Sequence, residues 1–243
     1  MKKFIFATLF TTLFASSAMA TDIRFATEAT YPPFEFISSD NSIQGFDIDL
    51  ANALCKEIQA NCTFTHQEFD SLIPGLKFRR FDALIAALDV TPERLKQVAF
   101  TQPYYDNSAI FITNDKQFTD ITSLQGKSVG VQNGTTHQKY LTEKHPGIKA
   151  VAYSSYQNAI QDLKSGRISA VFGDTAVVNE WLVNDTALLT VGNKVTDDDY
   201  FGTGFAIAVR QNNTELLGQL NTALEKIKAD GTYQKIYDKW FKK

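Results

Sequence analysis

Apolar positions follow two alternating periods along the chain. Residues 23–27 form a short β-rich run; beyond the break at Pro32-Pro33, Ile48, Ala51, Leu54, Cys55 and Ile58 recur at helical spacing. Residues 62–65 read as the next strand. Residues 71–81 place Leu72, Leu76 and Phe78 on a helix, and residues 83–88 are a continuous apolar run suited to a strand buried on both faces. The order β-α-β-α-β predicts a parallel sheet with helices on both sides.

The second half repeats the theme, with strands at 109–113, 128–132, 150–153 and 170–173 and helices at 135–144, 156–165 and 175–183. A Gly-punctuated strand at 205–209 follows, and two helices at 215–229 and 232–241, separated by Asp230-Gly231, close the chain. No low-complexity linker divides the halves. The expected architecture is therefore α/β and two-lobed, each lobe a mainly parallel sheet flanked by helices, with strand-like crossings between them.

The first twenty residues stand outside this pattern. Lys2 and Lys3 precede an apolar run from Phe4 to Phe14 and the small-residue stretch Ala15-Ser16-Ser17-Ala18-Met19-Ala20, which reads as a signal peptide cleaved after Ala20. An uncleaved anchor is the alternative, but the run is short for a bilayer. Residue 21 is Thr, so a lipoprotein processing site is not evident. The expected location is the periplasm. Cleavage removes two lysines and no acids, turning a net charge of −3 into 22 basic against 27 acidic residues, or −5. That balance argues against a protein that neutralises nucleic-acid phosphates.

Export also colours the cysteines. Cys55 and Cys62 are the only two, and an even pair in an oxidising compartment reads first as a disulfide. A buried free thiol at Cys55 is the alternative. His66, His137 and His145 show no metal-ligand spacing with each other or with the cysteines, so no metal site and no cofactor is expected.

Three loops should meet beyond the carboxyl ends of the first strands, where open α/β sheets bind ligands. They carry Glu28 and Tyr31, then Phe69-Asp70, then Asp89 and Arg94. Taken alone, an exposed Glu28 and a packed Tyr31 would explain the first loop. Gly126-Lys127-Ser128-Val129-Gly130 fits the G-x-S-x-G spelling of a hydrolase nucleophile, but a turn precedes Ser128 and a strand follows it, the wrong context for a nucleophile elbow. Asp47-Ile48-Asp49 lacks the remaining ligands of a calcium loop and reads as helix-start acids, and Asp197-Asp198-Asp199 reads as a solvated loop.

Five segments together resemble the periplasmic solute-binding proteins of polar amino-acid ABC transporters, most closely the arginine-binding members. They are Ala29-Thr30-Tyr31-Pro32-Pro33-Phe34-Glu35, Gly45-Phe46-Asp47-Ile48-Asp49-Leu50, Phe69-Asp70-Ser71-Leu72-Ile73-Pro74, Thr91-Pro92-Glu93-Arg94 and Gly231-Thr232-Tyr233. The resemblance spans essentially the whole mature chain. It implies the type II binding-protein fold, with lobe 1 from about 21–106 plus 202–243, lobe 2 from about 107–201, and a ligand cleft between them.

By the same resemblance, Arg94 clamps the ligand's α-carboxylate, a bidentate match for a guanidinium. Thr135 and Thr136 open a helix whose free N–H groups serve the same carboxylate. Asp174 pairs with the α-ammonium and Asp89 assists it. Tyr31 and Phe69 stack on a planar guanidinium that Glu28 neutralises. Gln132 lies where relatives vary with ligand, and Ala86-Ala87 replaces residues that are often Ser or Gly, leaving backbone groups such as those of Ala87 for the ligand. Each residue also has a plainer role open to it: Arg94 paired with Glu93, Thr135 and Asp174 as helix N-caps, Asp89 capping the next turn.

The implied function is an exported, monomeric receptor that binds a basic L-amino acid, L-arginine first, and delivers it to an inner-membrane ABC permease. Lysine, ornithine or histidine specificity is the nearest alternative. A dehydratase-type enzyme on the same scaffold is a further one, but no activated nucleophile is evident.

Overall fold

The computed structural model describes residues 21–242, so the signal-peptide expectation lies outside the described residues. Asp22–Thr27 alternates exposed and buried side chains and then buries Phe25, Ala26 and Thr27 as it runs between Asn61–His66 and Ala83–Leu84, parallel to both. Ala208–Val209 and Ala99–Phe100 complete this sheet, in the order 61–66, 22–27, 83–84, 208–209, 99–100. The second sheet runs Lys149–Tyr153, Ser128–Gln132, Ala170–Asp174, Ala109–Thr113, Leu189–Val195.

Each sheet is mixed, and the connectivity explains why. The three parallel strands of each sheet run toward the other lobe. Ala109–Thr113 and Ala208–Val209 enter their sheets from that side after a crossing, so they run the opposite way and pair antiparallel with their neighbours. The two crossings are themselves laced together, with Tyr104 N–H donating to the Phe205 carbonyl and Phe205 N–H to the Tyr105 carbonyl, both at 2.8 Å. Such paired strands suit a hinge.

Most expected elements are present: helices Phe46–Glu57, Thr136–Lys144, Tyr156–Lys164, Thr175–Asn184, Thr214–Ala229 and Thr232–Phe241. The helix expected over 71–81 is shorter, a turn at Phe69–Ser71 and then Leu72–Lys77. It stops before Arg79, whose φ is 59°, and leaves Phe78 82% exposed rather than packed. Only Ala83–Leu84 of the 83–88 run is laddered, yet all six residues are buried. Two short pieces have no period long enough to read, a small antiparallel sheet of Thr30–Tyr31, Glu35–Ile37 and Ile43–Gln44 and the helix Asp198–Phe201, and the seven-residue strand Leu189–Val195 buries only Val191, so it lacks an apolar run. Asp197 is not merely a solvated loop acid, because its carboxylate accepts from Asp199 N–H and caps that helix.

Cys55 and Cys62 form a disulfide with Cα atoms 6.2 Å apart, tying the last turn of helix Phe46–Glu57 to the start of strand Asn61–His66. Ser128 begins a strand, so it occupies no strand-to-helix elbow. Among the described residues no helix is long and apolar enough to cross a membrane.

Candidate ligand-binding site

The expected residues leave the carboxyl ends of parallel strands in both sheets. Glu28 follows Asp22–Thr27, and Phe69 follows Asn61–His66. Ala87 and Asp89 end the run that begins at Ala83, and Arg94 lies in the short helix Pro92–Leu95, where Thr91 caps the Arg94 N–H at 3.2 Å. From the other sheet, Gln132 ends Ser128–Gln132, Thr135 and Thr136 begin the next helix, and Asp174 ends Ala170–Asp174. A narrow cavity of about 10 Å³ joins Glu28, Tyr31, Phe69, Ala87, Asp89, Gln132, Thr135, Thr136 and Asp174, together with Glu35, His137 and Tyr156. Arg94 stands just outside it, in an adjoining groove that shares Phe69, Thr135 and Thr136 with the cavity.

Hydrogen bonds close the two lobes over this cavity. The Tyr31 hydroxyl donates to Asp174 Oδ2 at 2.6 Å, and Thr136 Oγ1 donates to Asp89 Oδ2 at 2.8 Å. Asn107, on the first crossing, donates to Asp89 at 2.8 Å and to Asp174 at 2.6 Å. At the rim, Asn133 donates to Asp70 at 2.6 Å, and Lys139 pairs with Glu93. Gly134 belongs to this rim. A Cβ there would sit 2.9 Å from the Asp70 Cβ, and its φ of 75° also favours glycine.

Arg94 and Asp174 do not take their plainer roles, whereas Thr135 does. Arg94 donates to the Asp89 carbonyl at 3.0 Å and lies 5.5 Å from the centre of the Phe69 ring, while Glu93 turns to Lys139. Asp174 makes no capping bond to its helix. Thr135 does cap, accepting from Gln138 N–H at 3.3 Å. Tyr31 has Tyr156 stacked at 5.4 Å and Phe34 at 6.4 Å, and Phe69 carries Arg94, so the two expected stacking partners line one cavity but each already has a neighbour.

Charge is the site's dominant property. Glu28, Glu35, Asp47, Asp89 and Asp174 are each 3% exposed or less, against a single buried arginine, Arg94, at 8%. Burial pushes Glu28 up to about 7, although Thr30 and Gln132 hydrogen-bond its carboxylate. Burial and then repulsion from Asp174 push Asp89 up to about 7, with Arg94 opposing. Burial raises Asp47 to about 6 and lifts Glu35 well above the usual carboxylate range, with the neighbouring Asp47 adding to it.

Four participants carry no sequence signal of their own or a misleading one. Glu35 faces Tyr31 across the small sheet, whose strands of two or three residues have no legible period. Asn107 and Tyr156 carry no motif. The helix-start pattern predicts the same surface role for Asp47 as for Asp49; instead Asp47 is fully buried and accepts from Ala87 N–H at 2.8 Å and Tyr104 OH at 2.7 Å. Asp49 stays at the surface with Lys239 and Trp240. The Asp47 bond holds Ala87 at φ 43°, a left-handed conformation costly for alanine, and such strain collects at functional sites.

The profile of the bacterial extracellular solute-binding proteins, family 3, matches residues 23–243. The chain is 63% identical over 243 residues to the putative ABC transporter arginine-binding protein 2 of Escherichia coli K12, covering 100% of both. It is 58% identical over 241 residues to ABC transporter arginine-binding protein 1 of the same strain, covering 99% of each. Among solved structures, a Salmonella typhimurium periplasmic binding protein described for high arginine specificity superposes with a TM-score of 0.89 at 50% identity, covering 91% of this chain and 100% of that one.

Proposed function

The chain belongs to the bacterial extracellular solute-binding proteins of family 3, and on that premise we propose that it is a periplasmic receptor for a basic L-amino acid, L-arginine first, which it hands to an ABC permease. The observation that carries this reading is the excess of buried acid around a small cavity. Four buried carboxyl groups, Glu28, Glu35, Asp89 and Asp174, line it, with one buried arginine at its edge, an imbalance that a ligand with two cationic groups and one carboxylate relieves. The cavity, about 10 Å³ with the lobes in contact, has room for no more than about one water, so the lobes must part to admit an amino acid.

In this reading the ligand lies across the interlobe contact. Its α-carboxylate faces Arg94 and the N–H groups that open the helix at Thr136. Its α-ammonium faces Asp174 and Asp89. Its guanidinium extends toward Glu28 and Glu35 beside the Tyr31 and Phe69 rings, with Gln132 trimming the far end. Lobe 1, about 21–106 plus 202–243, and lobe 2, about 107–201, then open and close about the paired crossings, and ligand favours the closed form by bridging them. Capture and release of the ligand require no bond to be made or broken, and a monomer suffices for them.

A thermal-shift and calorimetry panel of the twenty amino acids plus ornithine and citrulline tests this. A ligand that binds only the folded state raises the melting temperature with concentration. L-Arginine should give the largest shift, with lysine, ornithine and histidine as the nearest competitors. No shift with millimolar L-arginine would sink the reading.

A further inference from the structure

His137 has no part in the ligand placement above, yet it is 2% exposed and lines the same cavity. It follows Thr136 in the first turn of the helix Thr136–Lys144. Its Nε2 lies 3.2 Å from Asp174 Oδ1, close enough for a pair but off the hydrogen-bond direction, so neither ring nitrogen completes a hydrogen bond. A buried imidazole ordinarily has both nitrogens matched. The ring cannot turn away to find other partners. Tyr156 meets it edge-on at 6.1 Å, Phe172 edge-on at 5.1 Å, and Phe201 at 5.3 Å.

Asp174 lies in reach of that nitrogen, and it is held on its other sides. Oδ2 accepts from Tyr31 of lobe 1 and Oδ1 from Asn107 of the crossing. Both donors belong to elements that move relative to the second sheet if the lobes part. His137 belongs to the second sheet's own layer, as Asp174 does, so its hold on the carboxylate does not depend on closure.

We propose that His137 is a positioning residue that orients the Asp174 carboxylate for the ligand's α-ammonium, and so sets the preference for α-amino acids over analogues lacking that group. A small rotation of the carboxylate as the ammonium docks brings Nε2–H into line with Oδ1. Because His137 shares a helix turn with Thr135 and Thr136, one rigid segment then serves both the carboxylate and the ammonium of the ligand backbone. The proposal rests on the amino-acid-binding reading of the site.

The test compares L-arginine with 5-guanidinopentanoic acid, which is arginine without its α-ammonium, on the wild-type chain and on His137→Phe and His137→Gln, by calorimetry. Phenylalanine keeps a ring among Tyr156, Phe172 and Phe201 but removes the donor; glutamine keeps a donor. His137→Phe should weaken L-arginine by about tenfold or more, as for a lost hydrogen bond to a charged group. It should leave 5-guanidinopentanoic acid within about twofold, and His137→Gln should recover most of the L-arginine affinity. Equal losses for both ligands would reduce His137 to packing and overturn the proposal, as would no loss for either. A wild-type chain that binds neither ligand would overturn the reading of the site, and this proposal with it.

Discussion

The hydroxyl of Tyr31 and the carboxylate of Asp174, 143 residues apart in sequence and on opposite lobes, meet at 2.6 Å inside the cavity. The same hydroxyl accepts from the Asp174 N–H at 3.3 Å, so this one atom is fixed to both the side chain and the backbone of the facing lobe. Tyr31 thereby links closure to the group assigned to the ligand's ammonium.

Tyr31→Phe removes that link while the ring can still stack on Tyr156. A hydrogen bond to a charged group is worth about 1.5–3 kcal/mol, so affinity should fall by roughly tenfold or more. Because closure is common to all ligands, arginine, lysine and histidine should lose alike. Calorimetry gives the affinities, and small-angle scattering of the ligand-free variant should show a more open average shape. A loss confined to arginine would assign Tyr31 to the guanidinium alone.

Arg94→Ala should weaken every α-amino acid, by at least about 30-fold, since truncating one member of a buried charge pair costs roughly 2–5 kcal/mol. Arg94→Lys keeps the charge but loses the two-pronged fork, so it should recover only part of the affinity. Arg94 is also the one buried arginine near Asp89 and Asp174, and ligand-free Arg94→Ala should melt lower than the wild type. Retained affinity in Arg94→Ala would place the carboxylate elsewhere.

Much of this geometry was legible in the sequence, for a definite reason. Glu28, Asp89, Gln132 and Asp174 sit at or just past the ends of apolar runs long enough to read as strands, and the strand ends of α/β sheets converge. What stayed hidden came from elements too short to show a period and from side chains whose partners lie far away in sequence. Glu35 lies in a three-residue strand, Asn107 on a crossing, and Asp47 follows the same acidic helix-start pattern as Asp49 although one is buried and the other reaches Lys239. The helical period does separate those two aspartates, since Asp47 shares the buried face of Leu50, Ala51 and Leu54 while Asp49 lies over Asn52 and Ala53. What the period does not supply is the partners of Asp47, Ala87 N–H and the Tyr104 hydroxyl. Likewise the antiparallel half of each sheet follows from how often the chain crosses, which periodicity does not record.

Glu28→Gln should act selectively. The amide keeps the shape and an oxygen that accepts from Thr30 but removes the charge. L-Arginine, lysine and ornithine should each weaken by about tenfold or more, and citrulline, the neutral isostere of arginine, should change little. Equal losses for citrulline and arginine would show that Glu28 shapes the pocket rather than reading its charge.

Replacing both cysteines by serine should cost stability and spare binding. The Cys55–Cys62 bridge spans seven residues, and short bridged loops contribute on the order of 2–3 kcal/mol, which in a chain of this size lowers the melting temperature by roughly 5–10 °C. The bridge ties the amino-terminal end of strand Asn61–His66, whereas Phe69 and the cavity lie beyond its carboxyl end. Arginine affinity well below the folded-state transition should therefore match the wild type. A large loss would mean the bridge sets the position of Phe69.

The buried acids predict an unusual pH dependence. Glu28 and Asp89 titrate near 7 and Asp47 near 6 in the folded chain, against ordinary values of 4.5 and 3.8. Between those limits the folded state holds more protons than the unfolded one, so unfolding releases protons and stability falls as pH rises through roughly 4 to 7. The penalty is absent below the unfolded values and fully present above the folded ones. Asp82, Asp162 and Asp185 run the other way, held below the usual range by Arg24, Arg167 and Lys164; their stabilisation is lost only toward lower pH. Ligand-free protein should thus melt higher at pH 5 than at pH 8. A dicationic ligand favours the ionised carboxylates and reverses part of the effect, so the shift caused by L-arginine should be larger at pH 8 than at pH 5, with protons released on binding near neutrality. Thermal melts at the two pH values, and calorimetry in buffers of different ionisation enthalpy, measure both quantities. A larger arginine shift at pH 5 would mean that these carboxyl groups do not face the ligand's cations.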